Sequence, residues 1–282
     1  MPMTQADIHS HYETEWKRKS DKAEGVGDLS YSLGFHDAVT YPRYEQLIAD
    51  LGIRVNGGCV LDVGTGSGRW IRYFLDRFAP LRLIGIDYTE ASIDLLRKWS
   101  PDAPSTVVEF KVADITQPDL NLGEQFDLVN IANVLFHIPE PELFAHAIAN
   151  LSRLVAPDGC IVTTEFMPRM TMRTDWMLVR SRYEFERAVN AAGLRIAAIR
   201  PCLFLGSAVM GIDGPENSLR ARFQGIGATM SSILKSDMNE ATRQYFVEFF
   251  TELDDVLVEF CKERIAPVDL PGAKFVVLKR NR

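Results

Sequence analysis

Residues 60–70 read Val-Leu-Asp-Val-Gly-Thr-Gly-Ser-Gly-Arg-Trp, and this stretch decides the fold. The apolar run 59–63 predicts a buried β-strand, and apolar residues at helical spacing over 69–78 predict the helix that follows. Three alternate glycines separate the two elements, and glycine both accepts positive φ angles and lets the backbone approach a ligand. The first N–H groups of a helix have no partner within it. The stretch therefore predicts a strand, a glycine turn and a helix that together form a ligand-binding loop.

The same alternation of strand and helix continues beyond this stretch. Strands are predicted at 59–63, 81–86, 107–112, 126–131, 160–164, 194–199 and 273–278, and helices at 44–51, 69–78, 91–99, 141–154 and 182–192. The Pro-Asp-Gly sequence at 157–159 predicts the turn before the fifth strand. Strands that alternate with helices of about ten residues or more indicate βαβ units. We therefore predict an α/β fold with a doubly wound, mostly parallel sheet and helices on both faces.

Two segments fall outside this pattern. Residues 1–44 are polar with scattered aromatic residues and predict an N-terminal helical flap. Residues 202–271 read as helical and interrupt the sheet before its last strand. The strand at 194–199 should run parallel to the others, so its end lies at the ligand edge and the insertion is predicted to emerge there as a lid for substrate. The core domain is then 45–201, completed by the last strand in 272–282.

The composition is that of a globular protein and excludes several functional classes. The chain has 282 residues, 46% hydrophobic and 24% charged, with a formal net charge of −7. Such a chain is not disordered, and it lacks the broad basic surface of a nucleic-acid or membrane binder. The four scattered cysteines form no C-x-x-C pair and predict reduced thiols, not a metal site or a disulfide framework. Without a leader or an apolar stretch of about 18 residues, we expect a soluble, cytoplasmic protein.

Three carboxylates follow three neighbouring predicted strands. Asp62 stands in the first strand, Asp87 ends the second strand 19 residues after Gly68, and Asp114 follows the third. The carboxyl ends of parallel strands share one sheet edge, where open α/β sheets bind ligands, and an acid at the position of Asp87 accepts both ribose hydroxyls. The glycine spacing is G-x-G-x-G, not the G-x-G-x-x-G of dinucleotide sites. An acid beside the turn repels a pyrophosphate but suits a cationic amino-acid group.

This combination resembles the class I S-adenosylmethionine-dependent methyltransferases of the small-molecule type. The motif of that family, an acid before three alternate glycines and acids after the second and third strands, is matched by 62–68, Asp87 and Asp114. Segments 126–142 and 151–165 are similar to the fourth strand of the family and to its following helix, turn and strand. The resemblance covers the predicted core. It implies a seven-stranded Rossmann-like sheet with an antiparallel last strand, and S-adenosylmethionine as the cofactor.

The resemblance also implies which residues hold each part of the cofactor. The glycine turn passes under the methionine part with Asp62 near its ammonium group, Asp87 holds the ribose, and Tyr88 lies against the adenine. The implied cofactor-binding residues are Asp62, Gly64, Thr65, Gly66, Asp87, Tyr88, Asp114, Ile115, Ala132 and Asn133. Two alternatives stay open, namely that Asp62 only shapes the turn and that Asp114 only caps a loop.

Methyl transfer to a hydroxyl requires removal of the hydroxyl proton, most often by His, Asp or Glu. His137, after the fourth predicted strand, and Glu165, at the end of the fifth, are the candidate catalytic bases. A structural role is favoured for His137, with its ring packed under the cofactor, and Glu165 has the alternative of bonding a loop backbone. No metal-ligand spacing is present, and we expect no metal site.

Substrate contacts are expected from segments outside the core pattern. Segment 166–180 offers Arg169, Arg173 and Trp176 as substrate-binding residues, since arginine holds carboxylates and phosphates. Packing between the lid and the core is their alternative role.

The flap offers three aromatic residues, Tyr12, Trp16 and Tyr31, which can fold over the cofactor. A loosely attached helix is the alternative for this segment.

The predicted function is O-methylation of a sugar or a secondary metabolite. N- or C-methylation is one alternative, and a non-catalytic cofactor-binding scaffold is another. Residues 130–133, Asn-Ile-Ala-Asn, lack the Asn/Asp-Pro-Pro-aromatic motif of base-amine methyltransferases, and the wrong glycine spacing disfavours an NAD(P)-dependent oxidoreductase. The expected partner is a small-molecule acceptor, with no nucleic acid and no membrane, and a homodimer is left open.

Overall fold

The structure is a computed structural model that describes residues 3–21, 34–99, 101, 103–207 and 219–281. Tyr31 lies outside these residues. The helices are α1 Gln5–Asp21, α2 Phe35–Leu51, α3 Arg69–Arg77, α4 Glu90–Lys98, α5 Pro141–Leu154, α6 Arg182–Ala191, α7 Leu219–Lys235 and α8 Glu240–Lys262. The strands are β1 Cys59–Val63, β2 Arg82–Asp87, β3 Val107–Val112, β4 Phe126–Ile131, β5 Val155–Glu165, β6 Met172–Arg173, β7 Leu178–Val179, β8 Leu194–Leu203 and β9 Ala273–Arg280.

Seven of these strands form one twisted sheet in the order β3-β2-β1-β4-β5-β9-β8. The pairs β1–β2, β2–β3, β1–β4 and β4–β5 are parallel, whereas β9 is antiparallel to both β5 and β8. The strand order reverses between β1 and β4, and open α/β sheets bind ligands at such a switch point. The predicted doubly wound sheet with one antiparallel strand is confirmed. A separate two-stranded hairpin, β6–β7, was not predicted.

Hydrophobic clusters cover both faces of the sheet. In β1, Val60 belongs to one cluster and Leu61 to the other, and the side chains of β2 and β4 alternate in the same way. The first cluster includes buried residues of α2 and α3, and the second includes buried residues of α5 and α6. Because both faces of the central strands are buried, these strands read as nearly continuous apolar runs in the sequence.

Two predicted boundaries were wrong. Helix α2 begins at Phe35, nine residues before the predicted start at Tyr44, because Phe35 and Val39 extend its buried face despite Pro42 inside the helix. The predicted domain boundary after residue 44 therefore falls within a helix. Residues 157–159 form no separate turn before β5; Phe126 pairs with Val155 and Leu128 with Cys160, so 156–159 bulge out within the strand.

The helical insertion packs against α2. The Arg43 guanidinium donates to Asp254 of α8 at 2.7 Å, and the same carboxylate accepts from the backbone N–H of Phe204, after β8, at 3.0 Å. The rings of Phe35 and Phe250 meet edge to face at 6.3 Å. The described part of the insertion thus continues the hydrophobic core on one side of the sheet. Across the part of the chain that the structure covers, no helix combines the length and the apolar character needed to span a membrane.

Candidate functional site

The glycine turn between β1 and α3 forms the floor of a cavity at the carboxyl edge of the sheet. Gly64, Gly66 and Gly68 have φ angles of 69°, 53° and 78°, in the left-handed region that other residues rarely adopt. A Cβ atom on Gly64 would overlap the Val134 side chain, and one on Gly66 would lie 2.9 Å from Cζ2 of Trp16. The turn therefore requires glycine for its conformation and for close packing.

Asp87, at the end of β2, joins the turn to the cavity wall. One carboxylate oxygen accepts from the N–H of Gly66 at 3.0 Å, and the other accepts from the N–H and hydroxyl of Thr89 at 2.9 and 2.7 Å. Burial raises the pKa of Asp87, and these hydrogen bonds oppose that rise. The carboxylate is thus oriented from both sides, and each oxygen keeps acceptor capacity toward a ligand hydroxyl.

Asp62 lies beneath the turn and not on the cavity wall. Its Oδ1 accepts from the Asn130 side chain at 2.8 Å, and Asn130 accepts from the Tyr44 hydroxyl at 2.9 Å. Burial raises the pKa of Asp62 to about 7, although hydrogen bonds from the side chains of Asn130 and Thr65 lower it. The residue therefore shapes the turn from below, and its predicted contact with an ammonium group stays a prediction.

The opposite end of the cavity combines an aromatic surface with the third acid. The His9 ring of α1 stacks on Tyr88 with ring centres 4.0 Å apart and an interplanar angle of 17°. Asp114 accepts from the N–H and hydroxyl of Thr116, both at 2.8 Å, and Ile115 is a buried part of the wall. A flat, apolar surface beside a carboxylate suits a heteroaromatic ring with an amino group.

The segment after β4 forms a third wall. Ala132, Asn133 and Val134 line the cavity, and Asn133 has a φ of 60°. A single turn of 3₁₀ helix follows at Leu135–His137, and the ring of His137 also reaches the cavity. The Nε2 atom of His137 lies 3.1 Å from the Tyr12 hydroxyl, and Nδ1 lies 3.0 Å from the carbonyl oxygen of Trp176. Burial lowers the pKa of His137 to about 4, which leaves the imidazole neutral at physiological pH.

Helix α1 forms a further wall of the cavity. Its lining residues, spaced by three or four along one helix face, are Gln5, Ile8, His9, Tyr12 and Trp16. The predicted folding of Tyr12 and Trp16 over the site agrees with this position. His9, Ile8 and Gln5 were missed, although the 3.6-residue period of the whole set was present in the sequence.

Four predicted catalytic or substrate-binding residues lie outside the cavity lining. Glu165 is buried at the end of β5, accepts from the Thr163 hydroxyl at 3.0 Å, and has its pKa raised to about 8 by burial. Arg169 is exposed, Arg173 donates to the Met3 carbonyl, and the Trp176 ring lies 4.1 Å from that of His11. Segment 166–180 thus holds α1 in place, and a direct role of these residues toward substrate stays a prediction.

The cavity fits an adenosyl cofactor with an amino-acid end. Nine of the ten implied cofactor-binding residues, all except Asp62, lie on its wall. Ser67 Oγ and Tyr88 Oη are buried on this wall without hydrogen-bond partners, and such atoms are rare unless a ligand or water satisfies them. Among the residues that the structure describes, no three His, Cys, Asp or Glu side chains gather as metal ligands would.

Comparison with known proteins gives one family match and several relatives. Residues 60–159 match the family described as a methyltransferase domain. The chain is 29% identical over 163 residues to a ubiquinone biosynthesis O-methyltransferase of Neisseria meningitidis, across 51% of this chain and 66% of the relative. It is 25% identical over 168 residues to a demethylmenaquinone methyltransferase of Deinococcus radiodurans, across 53% of this chain and 64% of the relative. These matches span just under two thirds of each relative.

Solved structures share the fold at low sequence identity. The DhpI complex with SAH has a TM-score of 0.51 and 20% identity, covering 69% of this chain and 91% of that chain. The [4+2]-cyclase SpnF has a TM-score of 0.56 and 16% identity, covering 99% of this chain and 97% of that chain. Because a structure titled a cyclase shares the architecture, the fold by itself does not specify the reaction.

Proposed function

We propose that this chain, which has the fold and the catalytic domain type of class I S-adenosylmethionine-dependent methyltransferases, transfers a methyl group to a hydroxyl of a small molecule. One observation carries the proposal. The glycine turn, Asp87 and Asp114 meet on one cavity wall, where two buried polar atoms, Ser67 Oγ and Tyr88 Oη, have no hydrogen-bond partner among the described residues. A ligand that carries a ribose, a heteroaromatic amine and an amino-acid group would satisfy this wall.

The protein residues bind, orient and exclude water. S-adenosylmethionine, when bound, supplies a methyl group that is already electrophilic. Asp87 would hold the ribose hydroxyls, and Tyr88 with Ile115 would flank the adenine. Helix α1 lines the site and would reduce the access of water to the reacting atoms. His137 lies on the same wall with a neutral imidazole, but its lowered pKa makes it a weak base, and alignment of the acceptor would supply much of the rate enhancement.

A hydroxyl on an uncharged acceptor is the favoured methylation site. The relative from Neisseria is named an O-methyltransferase, which supports oxygen as the acceptor atom. The cavity is lined in part by aromatic and apolar side chains, among them Tyr12, Trp16 and Val134, which suits a flat or partly apolar molecule. A sugar or a secondary metabolite with a free hydroxyl fits this description, and N- or C-methylation is the alternative.

The first test is binding of the cofactor. S-adenosylhomocysteine at about 100 times its Kd should raise the melting temperature by roughly 5 °C, whereas NAD should not. Asp87→Ala should abolish the shift, and Asp87→Asn should weaken it while keeping a hydrogen-bonding side chain at the turn. Asp94→Ala, on the exposed face of α4, is the matched control and should respond like the wild type. Stabilisation by NAD alone would refute the proposal.

The second test is methyl transfer. Purified protein with S-adenosylmethionine is incubated with catechol, simple phenols, hydroxy and amino sugars and carboxylic acids, and products are analysed by mass spectrometry for the gain of one methyl group. A methylated hydroxyl is the expected result. Binding of the cofactor with no methylated product across the panel would favour the alternative that the chain binds the cofactor without transferring its methyl group. The fold is compatible with that alternative, since a structure titled a cyclase shares it.

A further inference from the structure

Helix α8 carries a second apolar face that no described part of the chain covers. One face, with Val247, Phe250 and Val258, is buried against the rest of the molecule. On the opposite side four large hydrophobic residues are each more than half exposed, namely Tyr245, Phe249, Val256 and Phe260. At about 100° per residue these four positions lie within about 60° of one another around the helix, so they form one stripe, the α8 stripe. Helices that are apolar on opposite faces are typically buried on both.

Aromatic rings connect the α8 stripe to a groove between α7 and α8. Phe249 meets Phe250 edge to face at 5.5 Å, and Phe246 stacks on Phe250 at 6.1 Å with 25° between the ring planes. The groove is lined by Arg222, Gly225, Ile226, Thr229, Met230, Ile233 and Phe250. A Cβ atom on Gly225 would meet no atom within 4 Å, so the groove is open there. The stripe and the groove together form one continuous apolar surface.

The dimensions of the α8 stripe suit a helix as its occupant. Its ends, Tyr245 and Phe260, are separated by about 22 Å along the helix axis. The exposed residues follow one another at intervals of four and seven residues, by which one helix packs along another. Contiguous apolar patches on soluble proteins mark contact sites, and an amphipathic helix laid into an apolar groove is a recurrent form of such contacts.

Carboxylates follow one edge of the α8 stripe. Glu248, Glu252 and Glu259 are exposed and lie next to the stripe on the same side of the helix, and we call them the α8 acidic row. Within the described parts of the chain, Lys262 pairs with Glu259 at 2.7 Å, and Glu248 and Glu252 form no ion pair. Helix α8 as a whole has six acidic and two basic residues. The apolar surface is therefore bordered by negative charge.

We propose that the α8 stripe binds an amphipathic helix of another protein, whose lysine or arginine side chains pair with the α8 acidic row. The apolar face of that helix covers the stripe and extends into the groove beside α7. Complementary charge across the edge of the contact fixes the orientation of the helix and disfavours acidic partners. This interaction is independent of methyl transfer and is tested without it.

A second copy of the chain is a poorer occupant. Antiparallel pairing about the centre of the α8 stripe matches apolar positions with one another, but it places Glu252 beside Glu252 of the other copy. The two acidic rows then lie on the same side of the contact, and like charges across an interface cost affinity. The formal net charge of −7 on each chain adds to the repulsion.

The test measures binding of two fluorescent synthetic peptides to the whole chain by anisotropy. One is an amphipathic helix of leucine and lysine, about 18 residues long, with the leucines on one face, and the other has glutamate in place of lysine. The lysine peptide should bind with a Kd of about 10 μM, and the glutamate peptide at least about 30-fold more weakly. Raising NaCl from about 0.05 M to about 0.5 M should weaken binding of the lysine peptide about fivefold.

Substitutions of exposed residues locate the binding surface. Phe249→Ser and Val256→Ser should each weaken binding of the lysine peptide about tenfold. Both side chains are exposed, so the melting temperature should stay within about 2 °C of the wild type. The double change Glu248→Gln with Glu252→Gln should weaken binding about fivefold and reduce its salt dependence. Tyr183→Ser, at an exposed tyrosine of α6, is the matched control and should bind like the wild type.

Three binding results overturn the inference: equal affinity for both peptides, no binding of the lysine peptide up to about 1 mM, or unchanged affinity in Phe249→Ser and Val256→Ser. Sedimentation equilibrium tests the other occupant. A wild-type dimer that both serine substitutions convert to a monomer would show that a second copy covers the stripe, which also overturns the inference. A wild-type monomer at about 100 μM that binds the lysine peptide through the stripe supports it.

Discussion

At the residue scale, burial separates the two predicted bases more clearly than their positions in the sequence. His137 lies after β4 and Glu165 is the last residue of β5, and both are buried enough to shift their pKa values. Burial disfavours the charged form in each case, so it keeps the imidazole neutral and the carboxyl protonated. The imidazole of His137 is therefore unprotonated at neutral pH, whereas the carboxyl of Glu165 is mostly protonated. Residue type and local spacing alone do not reveal this difference.

The raised pKa of Glu165 has a consequence for stability. Its folded-state pKa of about 8 lies above the ordinary value of 4.5, so the folded protein holds this proton more tightly than the unfolded chain. The contribution of this bound proton to the stability of the fold is complete below about pH 4.5, and it is lost as the pH rises through 8. Because of this residue, the free energy of unfolding should fall by about 1 kcal/mol per pH unit between pH 6 and pH 8. Glu165→Gln should remove that part of the slope.

Urea denaturation at pH 6, 7 and 8 measures the slope. Glu142→Gln, at an exposed position in the first turn of α5, should keep the wild-type slope and serves as the control. Equal slopes in the wild type and Glu165→Gln would mean that Glu165 is already ionised at neutral pH, which would return it to the candidate bases.

At the scale of elements, α1 is the helix that the sequence predicted least well and that contributes most to the cavity wall. Strands β3 and β4 have the predicted bounds, because continuous or alternating apolar runs between polar loops are a strong indication of β-strands. Helix α1 has a polar composition, and its inward face carries His9, Tyr12 and Trp16. In the sequence, these residue types are equally compatible with an exposed face. Its partners are residues far away in sequence, such as Glu140 and Trp176. Only tertiary contacts identify that face.

Docking of α1 depends on Ile8, which is buried. Ile8→Ala removes apolar contacts under the helix and should favour its detachment, since Ile→Ala changes at buried sites cost about 2 to 5 kcal/mol. Cleavage by trypsin after Lys17 or Arg18, exposed residues of α1, should become about tenfold faster or more. Mass spectrometry of the released fragment measures the rate. Ile226→Ala, the same change at an exposed position of α7, should not alter it.

At the scale of the whole molecule, the insertion is part of the folded core. Residues 202–271 were predicted as a lid at the ligand edge, but none of the described residues of this segment lines the cavity. The amphipathic pattern of α8 correctly predicted a helix with one buried face. It did not specify which surface that face would meet, because an apolar stripe fits any complementary surface. The buried bond between Arg43 and Asp254, two residues far apart in sequence, marks that surface as α2.

Asp254 is expected to control the stability of the whole fold. It is fully buried, pairs with Arg43 at 2.7 Å and accepts from two backbone N–H groups, those of Phe204 and Leu205. Asp254→Ala leaves these donors buried without an acceptor and should cost about 3 kcal/mol in the free energy of unfolding. Asp255, which binds the same arginine but is 56% exposed, is the matched control. Asp255→Ala should cost less than about 1 kcal/mol.

Denaturation followed by both circular dichroism and tryptophan fluorescence checks this prediction. Coincident transitions, shifted together in Asp254→Ala, are expected if the insertion and the sheet unfold as one unit. An early transition confined to one signal would instead show that α7 and α8 unfold separately and that the contact with α2 contributes little to the core.

The position of α1 also has a consequence for ligand exchange. Its five lining residues stand between the cavity and solvent, and its aromatic rings touch the glycine turn and Tyr88 directly. We therefore expect exchange of a nucleoside-sized ligand to depend on how firmly α1 is docked. Under the proposed function, changes that loosen the helix should speed product release even as they shorten the residence time of the donor.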